Sequence, residues 1–135
     1  MRVESSLGRP AKLTGKRVLV VEDEALVSML VEDELLDAGA KVVGPAACIG
    51  DALRLIEAAA ADGGLSAAVL DINLGGKQVW PVADRLAALG VPFLFATAYG
   101  MGRDTGGHGA APVLPKPLDP ERLIVAVEAL ASAKV

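Results

Sequence analysis

The chain has 135 residues, enough for one domain with a single core of ordinary size. Hydrophobic residues make up 53% of it but aromatics only 3%, so the core is aliphatic, which favours Val, Leu and Ile strands under Ala-rich helices. The formal net charge of -4 and the lack of a long basic cluster argue against nucleic acid, and no apolar stretch approaches the ~20 residues that span a bilayer.

Residues 1–15 are polar, contain Gly8, Pro10 and Gly15, and read as a flexible leader with no apolar signal-peptide core. Cys48 is alone, so there is no disulfide framework; the cytoplasm is the expected compartment, and Cys48 is expected as a small buried hydrophobe beside a helix. Residues 16–21 form a β-branched run that ends at acids, a first strand. Over 25–38 the spacing of Leu26, Met29, Leu30, Leu35 and Leu36 predicts a helix with those residues on its buried face, stopped by Gly39. Residues 42–45 make a short strand, and Pro45 places it at an edge. Residues 51–61 read as a second helix. Residues 67–70, apolar throughout, read as a central strand buried on both faces.

A turn follows at Gly75-Gly76, then a helix with Pro81 in its first turn and Val82, Leu86 and Leu89 inward. Residues 91–96 are the fourth strand. The glycine-rich 100–112 segment has no helical period, and its lone His108 is expected to be exposed. Residues 113–114 give a fifth strand. Residues 119–132 give a closing helix, with Asp119 as N-cap, Pro120 after it, and Leu123, Val127 and Leu130 inward. Alternation of this kind implies a parallel sheet with right-handed crossovers.

Four strand ends carry polar side chains: Glu22-Asp23, Asp71, Thr97 and Lys116. In an open parallel sheet, ligands gather at the carboxyl ends of the strands, so all five residues are placed to converge. Three carboxylates packed together repel one another. An oxygen-loving divalent cation resolves this, and Mg²⁺ fits, being held by one or two carboxylates plus waters and phosphate. Lys116 supplies a mobile point charge and Thr97 a hydroxyl. The set is what Mg²⁺-assisted phosphoryl transfer to Asp71 requires.

With these motifs in this order, residues 16–133 resemble a response-regulator receiver domain of two-component signalling. The resemblance implies a flavodoxin-like (βα)5 doubly wound parallel sheet of strand order 2-1-3-4-5, with the fourth helix here short or disordered, and a receiver domain over 16–135. It implies that Asp71 accepts a phosphoryl group from a kinase phospho-histidine, and that Asp23, Asp71 and the Asn73 carbonyl ligate Mg²⁺, with Glu22 acting through water. Thr97 and Lys116 would bind phosphoryl oxygens, and the Lys116-Pro117 bond would be cis.

The stretch 92–100, Pro-Phe-Leu-Phe-Ala-Thr-Ala-Tyr-Gly, partly resembles the "FAT GUY" receivers, with Ala98 where Gly is usual and Tyr99 directly after it. These are single-domain regulators of alphaproteobacteria that work with HWE-type or related histidine kinases, frequently in stress signalling. Val113 stands where most receivers have their switch aromatic, so Tyr99 becomes the switch candidate, and a packed surface tyrosine is the alternative. The chain ends at Val135 with no DNA-binding or catalytic unit after the last helix, so a protein–protein readout is expected: phosphate sink, kinase modulator or adaptor. Two other readings stay open. One is a pseudo-receiver used only for interaction. The other is a haloacid-dehalogenase-like phosphohydrolase, which needs an Asp where Asn73 stands.

Overall fold

A computed structural model describes residues 12–98 and 105–133. Five parallel strands form one sheet: β1 (Arg17–Val21), β2 (Lys41–Ala46), β3 (Ala67–Asp71), β6 (Phe93–Thr97) and β7 (Val113–Pro115). Their order is β2-β1-β3-β6-β7. Between β3 and β6 a two-stranded antiparallel hairpin pairs β4 (Asn73–Leu74) with β5 (Lys77–Gln78). Four helices complete the described chain: α1 (Ala25–Asp37), α2 (Ile49–Ala60), α3 (Trp80–Ala88) and α4 (Pro120–Ala133). This is the expected doubly wound parallel sheet, with β2 at an edge and β3, buried throughout, at its centre.

Side chains alternate across each strand, so every central strand feeds two cores. Leu19, Val21, Leu70 and Phe95 pack with Ile56, Val82 and Leu86 of α2 and α3. Val18, Val20, Val69 and Leu94 pack with Val31, Leu35, Leu123 and Val127 of α1 and α4. Asp119 accepts a 3.0 Å hydrogen bond from the Glu121 N–H, the cap expected at the start of α4.

Several expectations need correction. On α1 the sheet buries Ser28, Val31 and Leu35, whereas Leu26, Met29, Leu30 and Leu36 are exposed. Ser28 tolerates the inward position because its hydroxyl donates to the Ala25 carbonyl. The leader is described from Lys12 onward, and there Leu13 is fully buried in the α1/α4 core, its N–H donating to the Ala38 carbonyl at 2.8 Å. Cys48 is exposed at the N-terminus of α2.

Among the described residues, only turns lie between β6 and β7. That segment is fastened nonetheless. His108 is only 18% exposed at its side chain; its Nε2 lies 2.7 Å from Asp84 Oδ1 on α3, and its ring sits edge-on to Phe93 at 5.2 Å. Gly106 faces the Trp80 indole so closely that a Cβ there would lie 2.4 Å from Cδ2 of the ring. Trp80 in turn stands edge-on to Phe95 and donates from Nε1 to Gln78 Oε1 at 3.0 Å. No helix among the described residues is long and apolar enough to cross a membrane.

Candidate functional site

From β1 the chain turns to β2 on one side, and β3 lies on the other side of β1. The carboxyl ends of β1 and β3 therefore flank the point where strand order reverses, the usual ligand crevice of such sheets. Glu22 and Asp23 follow β1, Asp71 ends β3, Thr97 ends β6, and Lys116 follows β7. Sheet register holds them together: the Lys116 N–H donates to the Thr97 carbonyl at 2.8 Å, and the Ile72 N–H to the Ala96 carbonyl at 3.2 Å. A cavity of about 240 Å³ opens here, lined among others by Asp23, Asp71, Asn73, Thr97 and Lys116. Glu22, Asp71 and Thr97 are buried.

Lys116 is the hub. Its ammonium lies 3.0 Å from Glu22 Oε1, 3.0 Å from Glu24 Oε1 and 3.2 Å from Asp71 Oδ2. Burial opposes its charge, but the hydrogen bonds to Glu22 and Glu24 and the charge of Asp71 outweigh this and raise its pKa. Burial pushes the Glu22 carboxyl up from 4.5 to about 7. Hydrogen bonds from the Lys116 ammonium and the Glu24 backbone N–H pull the other way, and neighbouring Asp71 adds to the rise.

The rim is built by backbone amides. Asp71 Oδ1 accepts from the Asn73 N–H at 3.2 Å, and Asp23 Oδ2 accepts from the Gly75 N–H at 2.9 Å. Asn73 Oδ1 accepts from the Gly76 N–H at 2.9 Å. Gly75 and Gly76, with φ of 58° and 89°, supply the left-handed pair that a two-residue hairpin turn demands.

Oxygen atoms of Glu22, Asp23 and Asp71 lie within 4.8 Å of one another. Three hard carboxylate oxygens gathered this closely form a donor set that fits Mg²⁺. The structure thus brings together Glu22, Asp23, Asp71, Asn73, Thr97 and Lys116, and the Lys116-Pro117 bond is cis. The switch candidate Tyr99 lies outside the described residues. Glu24 was missed as a partner of Lys116. Its signal is its place directly after the Glu22-Asp23 pair, at the carboxyl end of the same strand.

No protein-family model matches the chain, and no curated protein matches it. Solved structures do. SdrG from Sphingomonas melonis Fr1 is 40% identical, with 88% of this chain and 97% of that one covered and a TM-score of 0.72. A putative response regulator from Chloroflexus aurantiacus J-10-fl is 26% identical over 87% of this chain and 98% of that one, with a TM-score of 0.71. The PhyR response regulator REC domain of Erythrobacter litoralis is similar in fold, at 22% identity over 90% and 93% and a TM-score of 0.71.

Proposed function

Because the chain belongs to the response-regulator receiver family, we propose that it is a stand-alone response regulator, phosphorylated on Asp71 in an Mg²⁺-dependent reaction with a histidine kinase. The observation that carries this reading is Asp71 itself: a carboxylate buried at the end of the central strand, 3.2 Å from an ammonium, in the wall of a cavity. A carboxylate held against an ammonium at a strand's carboxyl end, with open space beside it, is placed to receive an incoming group.

In the proposed step one Asp71 oxygen attacks phosphorus while the P–N bond to the donor imidazole breaks. The imidazole leaves with the bond's electron pair, and an acyl phosphate remains. Thr97 donates its hydroxyl to one phosphoryl oxygen and Lys116 pairs with another. Glu22 (through water), Asp23, Asp71 and the Asn73 carbonyl are the residues that would hold Mg²⁺. When bound, the ion supplies charge neutralisation for the transferring group. Phosphorylation leaves Asp71 carrying about two negative charges. The change reaches Thr97, Lys116 and the segments after them, with Tyr99 the switch candidate.

The partners are a sensor histidine kinase or phosphotransfer protein and a downstream protein, making the chain a phosphate sink, kinase modulator or adaptor. An apolar strip on α1 supports protein docking beside the cavity: Leu26 is 81% exposed and Met29 56%, one turn from Glu24 at the cavity rim. The amino-acid stretch 92–100 supports placement among FAT GUY receivers, with HWE-type kinases and stress signalling as the setting.

The test is intact-mass spectrometry after incubation with acetyl phosphate and Mg²⁺, beside Asp71→Asn. An Mg²⁺-dependent phosphoryl adduct confined to the unmutated protein is expected. No adduct in either protein leaves an interaction module and ends the phosphoacceptor reading.

A further inference from the structure

Resting on the phosphoacceptor reading above, we infer that Glu24 is a positioning residue that holds Lys116 in reserve and competes with an incoming phosphoryl group for its ammonium. A lysine ammonium has three N–H donors and no acceptor. Here three carboxylates surround it: Glu22, Glu24 and Asp71. For Lys116 to turn a donor toward a phosphoryl oxygen, one of these partners must yield.

The three are not equivalent. Glu22 is 4% exposed at its side chain, and its Oε2 also accepts the Glu24 N–H at 3.1 Å, so it has nowhere to go. Asp71 is the group that carries the new phosphoryl and stays in place. Glu24 is 63% exposed at its side chain and makes no capping bond to the N-terminus of α1 that it precedes. Its carboxylate exchanges Lys116 for water at little cost. Glu24 therefore sets how readily Lys116 is surrendered, and it does so without touching the phosphoryl group.

The test uses the full chain with Mg²⁺ and trifluoroberyllate, which binds a carboxylate oxygen and presents fluorines where phosphoryl oxygens would lie. Two variants separate reach from charge. Glu24→Gln removes the charge. Glu24→Asp keeps the charge but is shorter by one carbon, about 1.5 Å, and so falls short of Lys116. Calorimetric titration is expected to show trifluoroberyllate binding tightened about two- to five-fold in both variants, the scale of a partly exposed ion pair. Mg²⁺ affinity is expected to be essentially unchanged in Glu24→Asp.

If only Glu24→Gln binds more tightly, the effect is repulsion by its charge and the positioning role is overturned. Unchanged affinity in both variants overturns it too, with the phosphoacceptor reading intact. A large loss of Mg²⁺ affinity in Glu24→Asp makes Glu24 a metal ligand instead. If the unmutated protein binds no trifluoroberyllate, the phosphoacceptor reading itself falls and takes this inference with it.

Discussion

His108 Nε2 lies 2.7 Å from Asp84 Oδ1, tying the glycine-rich connection after β6 to helix α3. The same ring packs edge-on against Phe93 and lies 6.4 Å from Phe95. The described part of that connection, residues 105–112, consists of turns, and one imidazole anchors it through a hydrogen bond and aromatic contact.

Replacing that imidazole loosens the segment. His108→Ala is expected to cost about 1–2 kcal/mol, the sum of one net hydrogen bond and an aromatic contact. Asp84→Asn is expected to cost less, because the ring contacts survive. Urea unfolding of both variants checks the order; equal stability of His108→Ala and the parent would mean the ring does not fasten the segment.

Gly106 is the second anchor. Its φ of 59° disfavours any Cβ, and the Trp80 ring occupies the space a methyl would need. Gly106→Ala is expected to destabilise the fold by about 1–3 kcal/mol through strain at positive φ and displacement of the indole. The midpoint of chemical denaturation reads this directly.

The raised pKa of Glu22 has a definite sign in stability. A carboxyl with a pKa of about 7 folded and 4.5 unfolded binds its proton more tightly in the folded chain. The folded state is favoured below pH 4.5 by this group and loses that advantage as pH rises through about 7. Metal-free protein in chelator is therefore expected to lose stability between pH 5 and 7. The slope should flatten in Glu22→Gln, and an identical slope in the variant would assign the effect to another group.

The apolar strip of α1 makes a separable prediction. Leu26→Ser with Met29→Ser removes exposed side chains, so stability is expected to shift by no more than about 0.5 kcal/mol per site. Labelling by acetyl phosphate, which needs no docking, is expected to persist. Phosphotransfer from a kinase is expected to slow. Equal kinase rates in parent and variant would remove α1 from the docking surface.

The sheet was legible because each strand is a short aliphatic run and each site residue sits where such a run stops: Asp71 after Ala-Ala-Val-Leu, Lys116 after Val-Leu-Pro. Helix α1 was misread because Leu26, Val27, Met29, Leu30, Val31, Leu35 and Leu36 cover more than half its circumference. With apolar groups on nearly every side, periodicity cannot choose the inward face, and the choice passed to Val31 and Leu35 with Ser28 bonding its own backbone. His108 and Leu13 were missed for another reason. Their contacts reach Asp84 and Ala38, more than twenty residues away, and local pattern does not carry such pairings.

The chain has one tryptophan, and Trp80 touches two segments: the β4–β5 hairpin, whose Asn73, Gly75 and Gly76 line the cavity, through Gln78, and the 105–112 connection through Gly106. Excited beyond the tyrosine band, the intrinsic emission of the whole protein therefore comes from one indole packed on Phe95. Any rearrangement that slides the hairpin or lifts the connection alters the solvent around that single fluorophore. The protein carries its own optical gauge, and titrations of metal, phosphodonor or partner can be followed without attaching a label.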